Sequence, residues 1–505
     1  MFDLLMNGLA IVFAPKMFIL IIFAVFLGTI FGALPGVSAT MAVTLGIPFT
    51  YKMDPVSAIA FLVATYCASI TGGGMTAILF KIPGVPSSAP TTYDGYPMAQ
   101  RGEAGKALGI QLICSAIGGM FSALCMLLLS PQLTQAALSF GPSELFAISF
   151  MGLSILTSLE TDNICRTIIS GLIGLLLACI GLDPLLGVPR LTFGTRFLTS
   201  GFEMIPVMIG FFAVTEVLKQ TQKRDKLDAV GDNTKVTTKM PSLKELISVK
   251  WTILRCSVVG TIIGILPGAG ATIAAFMCYS MEQKMSKYPE KFGTGCIDGI
   301  AAPETGNNAA TGGSMVPLLS LGIPGGNAAA VMMSALVLKG VVMGPLLLIN
   351  QPAFLGATFA SMFVSNIIMV FAAIIIAKIF VQILKIPYSI LGPTIIMMAT
   401  IGAFATKNNG IDVILMAFAG LAGFVFVTCK LNSSAMILGL VLGVIVEGNL
   451  RRAYTILSGA STTLWESTLS ILRRPVTSII LLFCLMVLVY PVLKPLLFKK
   501  RNAAN

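Results

Sequence analysis

Long apolar runs, interrupted by clusters of glycine, proline and hydroxyl residues, set the pattern of this chain. One set lies near 17–34, 55–70, 107–130, 143–158, 167–182 and 201–218. The polar stretch 219–250 intervenes, and a second set follows near 252–266, 268–281, 328–348, 353–377, 390–404, 411–428, 431–446 and 475–493. Runs such as Ala353 to Ala377 hold no charged residue, whereas a transmembrane barrel shows alternating segments of about ten residues. The pattern therefore predicts an all-α polytopic membrane protein of roughly ten to twelve helices, at about 20 residues per span. Four regions are expected: a first membrane repeat (1–218), a cytoplasmic linker (219–250), a second repeat (251–446) and a C-terminal span with its tail (447–505).

The two sets are related. FLGTIFGALPGVSATMA (26–42) and VVGTIIGILPGAGATIA (258–274) agree at ten of seventeen positions without a gap. Downstream, ITGGGMTAILFKIPG (70–84) matches ATGGSMVPLLSLGIPG (310–325) with one insertion. Two motifs repeated in order argue for duplication. Glycines in membrane helices often do no more than permit close packing, which accounts for Gly28/Gly32 and Gly260/Gly264. Packing alone does not call for proline followed by glycine in mid-span, nor for Ser38, Thr40 and Thr272 just beyond. Broken helices meeting near the bilayer midplane do call for them. Breaks are expected at Pro35-Gly36, Gly72–Gly74, Pro267-Gly268 and Gly312-Gly313, converging on one cavity. If 252–281 is a hairpin with its tip at Pro267–Gly270, Lys250 and Lys284 share the cytoplasmic side, and an oppositely oriented first copy makes an inverted repeat suited to an elevator-like or rocking motion.

Charge and composition narrow the chemistry. Of 505 residues 56% are hydrophobic and 11% charged, so the chain cannot cover itself with polar surface. The net +12 comes from short basic loops and the tail (Lys494, Lys499, Lys500, Arg501), a topology signal with no patch for nucleic acid. Arg451-Arg452 and Arg473-Arg474 are read the same way. Ten scattered cysteines form no framework, and the absence of histidine leaves proton coupling to carboxylates. No Ser-His-Asp, Cys-His or HExxH set and no GxxxxGK[ST] loop is present, so neither a known hydrolase site nor an ATPase is expected. With no basic residue before Lys16, the first segment is expected to stay rather than be cleaved as a signal peptide.

Half-helix N-termini suit a carboxylate and half-helix C-termini a sodium ion. Candidate substrate ligands are Gly36, Ser38, Thr40, Gly72, Gly73, Gly74, Gly268, Thr272, Gly312 and Gly313 at the breaks. Ser87, Ser88 and Thr91 in the stretch 82–105 add hydroxyls, as does Thr92; that stretch is expected to be a loop or hairpin. Asn327 follows the second IPG. Candidate cation-coupling residues are Asp94, Glu304, Asn307 and Asn308. Asp94 serves equally as a turn residue, Glu304 as a sodium ligand, a proton site or an interfacial acid, and the two asparagines as helix caps. Lys81 is either a counter-charge for an anion or a headgroup-seeking lysine. No cofactor is expected; sodium enters only as a coupling ion.

At GALPGVSATMAV, KIPGVPSSAPTTYDGYPMAQRGEAGKALG, APETGNNAATGGSMVPLLSLGIPGG and EGNLRRAYTILSG the chain resembles the large membrane subunit of the tripartite tricarboxylate transporter family. The resemblance implies a bacterial inner-membrane secondary carrier for citrate-like or other small carboxylates, driven by sodium or protons. It also implies a small membrane subunit and a periplasmic binding protein as partners, within the lipid bilayer, with a homodimer of the complex left open. The family's motifs fall on Gly32, Pro35, Gly36, Ser38 and Thr40, on Pro83, Gly84, Ser87, Ser88 and Asp94, and on Glu304, Asn307 and Asn308. A non-translocating scaffold or sensor subunit is the alternative, and an intramembrane enzyme a weaker one, since the chain offers no nucleophile–base pair.

Overall fold

The computed structural model describes residues 2–34, 36–159, 164–183, 187–222, 240–268, 270–383, 388–457 and 464–499. Pro35 and most of the linker fall outside them, as do Lys500 and Arg501. Helix follows helix. After α1 (Phe2–Val12) come α2 (Pro15–Ala33), α3 (Ala39–Thr50), α4 (Pro55–Phe80), α5 (Thr91–Met98), α6 (Ala104–Leu138), α7 (Pro142–Leu159), α8 (Ile164–Ala178), α9 (Met204–Ile209) and α10 (Thr215–Gln222). A π-helical turn, Gly210–Val214, joins the last two. The second half holds α11 (Leu243–Ser248), α12 (Lys250–Ile265), α13 (Gly270–Met285), α14 (Asp298–Leu321), α15 (Asn327–Val337), α16 (Leu347–Asn350), α17 (Pro352–Ile383), α18 (Tyr388–Lys407), α19 (Gly410–Thr428) and α20 (Ser433–Leu457). The helices α21 (Leu464–Leu472) and α22 (Pro475–Lys499) close the chain. One small ladder among the described residues pairs β1 (Gly181–Leu182) antiparallel with β2 (Pro189–Arg190), Gly181 opposite Arg190. Among the described residues eight helices are long and apolar enough to cross a membrane, and six further apolar helices are shorter.

The proline-glycine motifs fold as hairpins. Thr252 Oγ1 donates to Glu282 Oε1 at 3.0 Å and Cys278 Sγ contacts the Cys256 carbonyl at 3.7 Å. Pairs 252/282 and 256/278 are both centred on residue 267, so α12 and α13 are antiparallel arms with Pro267 at the tip. Arg255 closes the open end on Glu282. In the first half Phe23 and Phe49 meet edge-on at 5.9 Å, which centres the α2–α3 hairpin on Gly36. Gly36 (φ +88°) and Gly268 (φ +84°) turn the chain in the left-handed region that other residues avoid.

Each hairpin lies along a long helix by backbone-to-backbone contact. A Cβ on Gly28 would meet Thr65 and one on Gly32 would meet Ser69, so α2 runs parallel to α4; Gly260 against Gly306 and Gly264 against Ala310 repeat this for α12 and α14. Between the halves, Asn308 Nδ2 donates to Thr71 Oγ1 (2.6 Å) and Cys67 lies 3.7 Å from Thr311 Oγ1. As one number rises the other falls, so α4 and α14 are antiparallel and the two hairpins insert from opposite ends. The halves also exchange partners: α6 packs on α14 while α17 packs on α4, and α20 packs on α8 while α19 packs on α9. This is the inverted repeat read from the sequence.

Three expectations need correction. Helices α4 and α14 run unbroken through Gly72–Gly74 and Gly312-Gly313. In a bilayer a freed amide costs several kcal/mol, more than the ~1 kcal/mol each glycine takes from helix propensity, so the helix persists. Breaks come later, at Lys81 and Gly322, both left-handed, ahead of each IPG. The stretch 82–105 is more helical than expected: a 3₁₀ turn (Pro86–Ser88), α5, then a π turn to Glu103. The apolar run 328–348 is not one helix: it is helical as α15 and again only at its end, in α16.

Candidate functional site

A cavity of about 500 Å³ lies where the two hairpin tips meet. Ser38 and Thr40 line it from the first tip and Gly268, Gly270 and Thr272 from the second; Ser87 follows the first IPG, Gly326 and Asn327 the second. The opposite wall is Phe211, Phe212, Thr215 and Glu216 with Val427 and Asn432–Ser434. Four helices begin at this cavity: α3 after its N-cap Ser38, α13 at Gly270, α15 at Asn327 and α20 at Ser433. Among the described residues no lysine or arginine lines it. The positive ends of four helix dipoles, with the first-turn amides not taken up by the caps at Ser38 and Asn432, are thus its chief electropositive groups, an arrangement suited to an anion. The Ser38 hydroxyl accepts from Met41 N at 3.1 Å as a cap, while its proton stays free to donate. Asn327 Nδ2 donates to Ser434 Oγ at 2.6 Å; Asn327 Oδ1 and Ser87 Oγ are buried and unpaired.

Glu216 is the acidic member of the wall, and sequence reasoning missed it. Its carboxylate accepts from Lys219 Nζ (3.3 Å) and Gln220 Nε2 (2.8 Å), and Gln220 in turn lies where a Cβ on Gly36 would be. The 216/219/220 spacing on one helix face was the available signal. Asn432–Ser434, a polar gap between two apolar spans, was another.

The remaining candidates are elsewhere. A Cβ on Gly72 would strike the Thr29 carbonyl, on Gly73 Val85, on Gly312 Ser122 and on Gly313 the Thr261 carbonyl. These glycines, like Gly36, shape the walls from behind and do not line the cavity. Ser88 is buried against Gly73. Lys81 is exposed, its ammonium 5.6 Å from the Tyr96 ring, away from the cavity.

Behind the cavity lies a second polar cluster, fully buried, on α4, α5, α6 and α14. Glu304 Oε1 accepts from Thr91 Oγ1 at 2.5 Å; its Oε2 accepts from Ser115 Oγ at 3.0 Å and Gln111 Nε2 at 3.2 Å. Gly74 leaves the space these groups occupy, since its Cβ would stand 2.7 Å from both Glu304 Oε1 and Gln111 Nε2. One turn on, Asn307 has neither amide atom in a well-formed hydrogen bond, and Asn308 Oδ1 and Gln111 Oε1 are also unpaired acceptors. Buried acceptors around a carboxylate that pairs with no described lysine or arginine form a donor set that fits a small cation.

Asp94 does not join this cluster. Its carboxylate accepts from the amides of Gly293, Gly295 and Cys296 at 2.8–3.0 Å and from Tyr279 Oη at 2.9 Å. Arg101 holds the carbonyls of Thr294 and Gly295 in the same loop. These donors tie the Asp94 carboxylate to the α13–α14 connection, apart from the Glu304 cluster.

Residues 18–438 match the family described as tripartite tricarboxylate transporter TctA. The chain belongs to this family. It is 35% identical over 462 residues, 91% of its own length and 92% of the relative's, to an "uncharacterized 52.8 kDa protein in TAR-I ttuC' 3'region" of Agrobacterium vitis. A second protein of that organism, "uncharacterized protein in TAR-II ttuC' 3'region", is 39% identical over 203 residues, covering 40% of this chain and 84% of the relative. No solved structure matches. Membership makes the chain a multi-pass membrane subunit of a tricarboxylate transporter whose family works with partner subunits and a periplasmic binding protein.

Proposed function

We propose that the chain is the translocating subunit of a secondary carrier in the bacterial inner membrane. It imports a small di- or tricarboxylate delivered by a periplasmic binding protein, with a small membrane subunit alongside, and is driven by a sodium or proton gradient. One observation carries the reading: first turns of four helices, two from oppositely inserted hairpins, face one cavity that no basic side chain among the described residues neutralises. A volume of about 500 Å³ suits a ligand of citrate's size. Backbone amides and hydroxyls bind such an anion without the deep electrostatic trap of buried arginines, and release is as necessary to a carrier as capture. The coupling cation belongs at Glu304 with Asn307 and Asn308. Because the hairpins enter from opposite ends, rocking or elevator-like displacement of one against its surroundings would open the cavity to each face in turn.

Reconstitution with both partners in liposomes tests this. Labelled citrate, succinate and malate are offered with an imposed sodium or pH gradient, and accumulation of at least one that collapses with the gradient is expected. A scaffold or sensor subunit gives binding-protein docking and no gradient-dependent uptake, which would refute the proposal.

A further inference from the structure

The cavity and the Glu304 cluster are separate sites, yet one short segment touches both. Ser87 lines the cavity, and Thr91, four residues on, donates to Glu304 at 2.5 Å. The backbone between them is continuously turned, Ser88 N to Val85 O at 3.0 Å, Ala89 N to Pro86 O, Thr92 N to Ala89 O and Tyr93 N to Pro90 O at 3.1 Å. The segment's far end is held by Asp94 on the loop after α13, and α13 itself packs on the 3₁₀ turn. We propose that residues 86–94 form the coupling element of the carrier, with Thr91 as the positioning residue that links occupancy of the Glu304 site by a small cation to carboxylate affinity in the cavity. The inference rests on the transport reading above and deepens it.

The physical argument starts from charge. Glu304 is completely buried, and among the described residues no lysine or arginine pairs with it; its carboxylate accepts from Thr91, Ser115 and Gln111. An ionised carboxylate in such surroundings is costly unless a proton or metal cation neutralises it. Other ionisable groups on the elements packed around it do not supply the charge. Cys114 on α6 is a buried thiol, Asp94 on α5 is taken up by the loop amides, and Asp298 opens α14 beside Thr252. Lys106, at the start of α6, is bound to Glu245. Neutralisation weakens Oε1 as an acceptor, because hydrogen bonds to an ionised acceptor are about twice as strong as neutral ones. Thr91 then holds Glu304 less tightly, and a rigid turn passes the change to Ser87. Reciprocity requires that whatever factor the cation exerts on carboxylate affinity, the carboxylate exerts on cation affinity.

Citrate, succinate and malate binding is measured on the full-length purified protein in nanodiscs. One arm titrates sodium at fixed pH and the other titrates pH in sodium-free choline buffer, so the responsive arm identifies the cation. For wild type, affinity for at least one acid is expected to rise tenfold or more in one arm. Thr91→Val should reduce the tenfold cation dependence of carboxylate binding below twofold. Thr91→Ser should restore it, and Thr91→Cys, a weak donor of similar volume, should behave as valine does. Cation-induced thermal stabilisation without carboxylate should survive in Thr91→Val and vanish in Glu304→Gln, a result that a merely structural threonine would not produce. Full cation dependence in folded Thr91→Val or Thr91→Cys overturns the coupling role while leaving the transport reading intact, and full dependence in Glu304→Gln overturns the cation site. Wild type that binds none of the three acids in either arm overturns the transport reading, and this inference with it.

Discussion

Gly32 is the point at which the first hairpin is pressed hardest on its support, and Gly32→Ala is the sharpest test of the hairpin geometry. The added Cβ would sit 1.9 Å from the Ser69 carbonyl oxygen, 2.5 Å from its carbon and 2.6 Å from its Cα. Ordinary contact begins near 3.4 Å, so α2 and α4 must separate by about 1.5 Å, and backbone cannot rotate away as a side chain would. Overpacking of this kind costs about 3 kcal/mol, roughly a hundredfold in an equilibrium constant. The strain falls one turn before the tip that presents Ser38 and Thr40 to the cavity. Gly448→Ala is the control: nothing lies within 4 Å of its Cβ, and alanine favours helix by about 1 kcal/mol. Thermal unfolding in detergent and citrate uptake in liposomes are measured for both. Gly32→Ala should unfold several degrees below wild type and lose most uptake, and Gly448→Ala should match or exceed wild type in stability. Wild-type stability and uptake in Gly32→Ala would show that the two helices are not in backbone contact.

Asp94→Asn keeps one oxygen for the three amides but removes the charge and turns a donor on Tyr279 Oη and Gly293 N, so it should cost about 1–3 kcal/mol of stability while leaving the cation dependence of residual uptake unchanged; the reverse outcome in thermal and ion titrations returns Asp94 to the coupling site. Thr272→Val removes one hydroxyl from the cavity wall and should raise the KM for citrate about five- to tenfold at near-normal stability, read from uptake kinetics. Lys106 and the cap Ser242 hold the exposed Glu245 carboxyl at about 2, well below its ordinary 4.5. A depressed carboxylate supports the folded state above its unfolded value and loses that support only as pH falls towards 2. Tryptic cleavage after Lys244 should therefore stay constant from pH 7 to 9 and rise in Glu245→Gln; equal cleavage in variant and wild type would show that α11 is not held to α6 by this pair.

The hairpins were legible because proline followed by glycine and a small hydroxyl, repeated in both halves, has few other uses within a bilayer. Glu304 stood out for a similar reason, as an acid among small residues in a long uncharged stretch. The glycine triplets misled because the same residue that loosens a helix also lets another backbone approach it, and only the neighbour decides which effect prevails. Gly74 makes room for Glu304, and Gly73 for Val85. The far wall of the cavity was hidden because Phe211, Glu216 and Ser434 belong to helices outside the duplicated motifs, brought in by packing between halves. Asp94 could not be assigned from sequence, since its partners lie some 200 residues away in a loop with no marked composition.

The two halves differ at many positions, and one of these differences is the buried acid. Counting back from the matched pair Thr71 and Thr311, the counterpart of Glu304 is Ala64, buried and apolar. A structure made of two equivalent halves would hold its inward-facing and outward-facing forms at equal energy, since each is the other turned over. A lone acid on one side of the pseudo-twofold removes that equality. On the transport reading proposed above, the empty protein is therefore expected to favour one face even with no gradient across the membrane, and the unmatched Glu304 contributes to that bias.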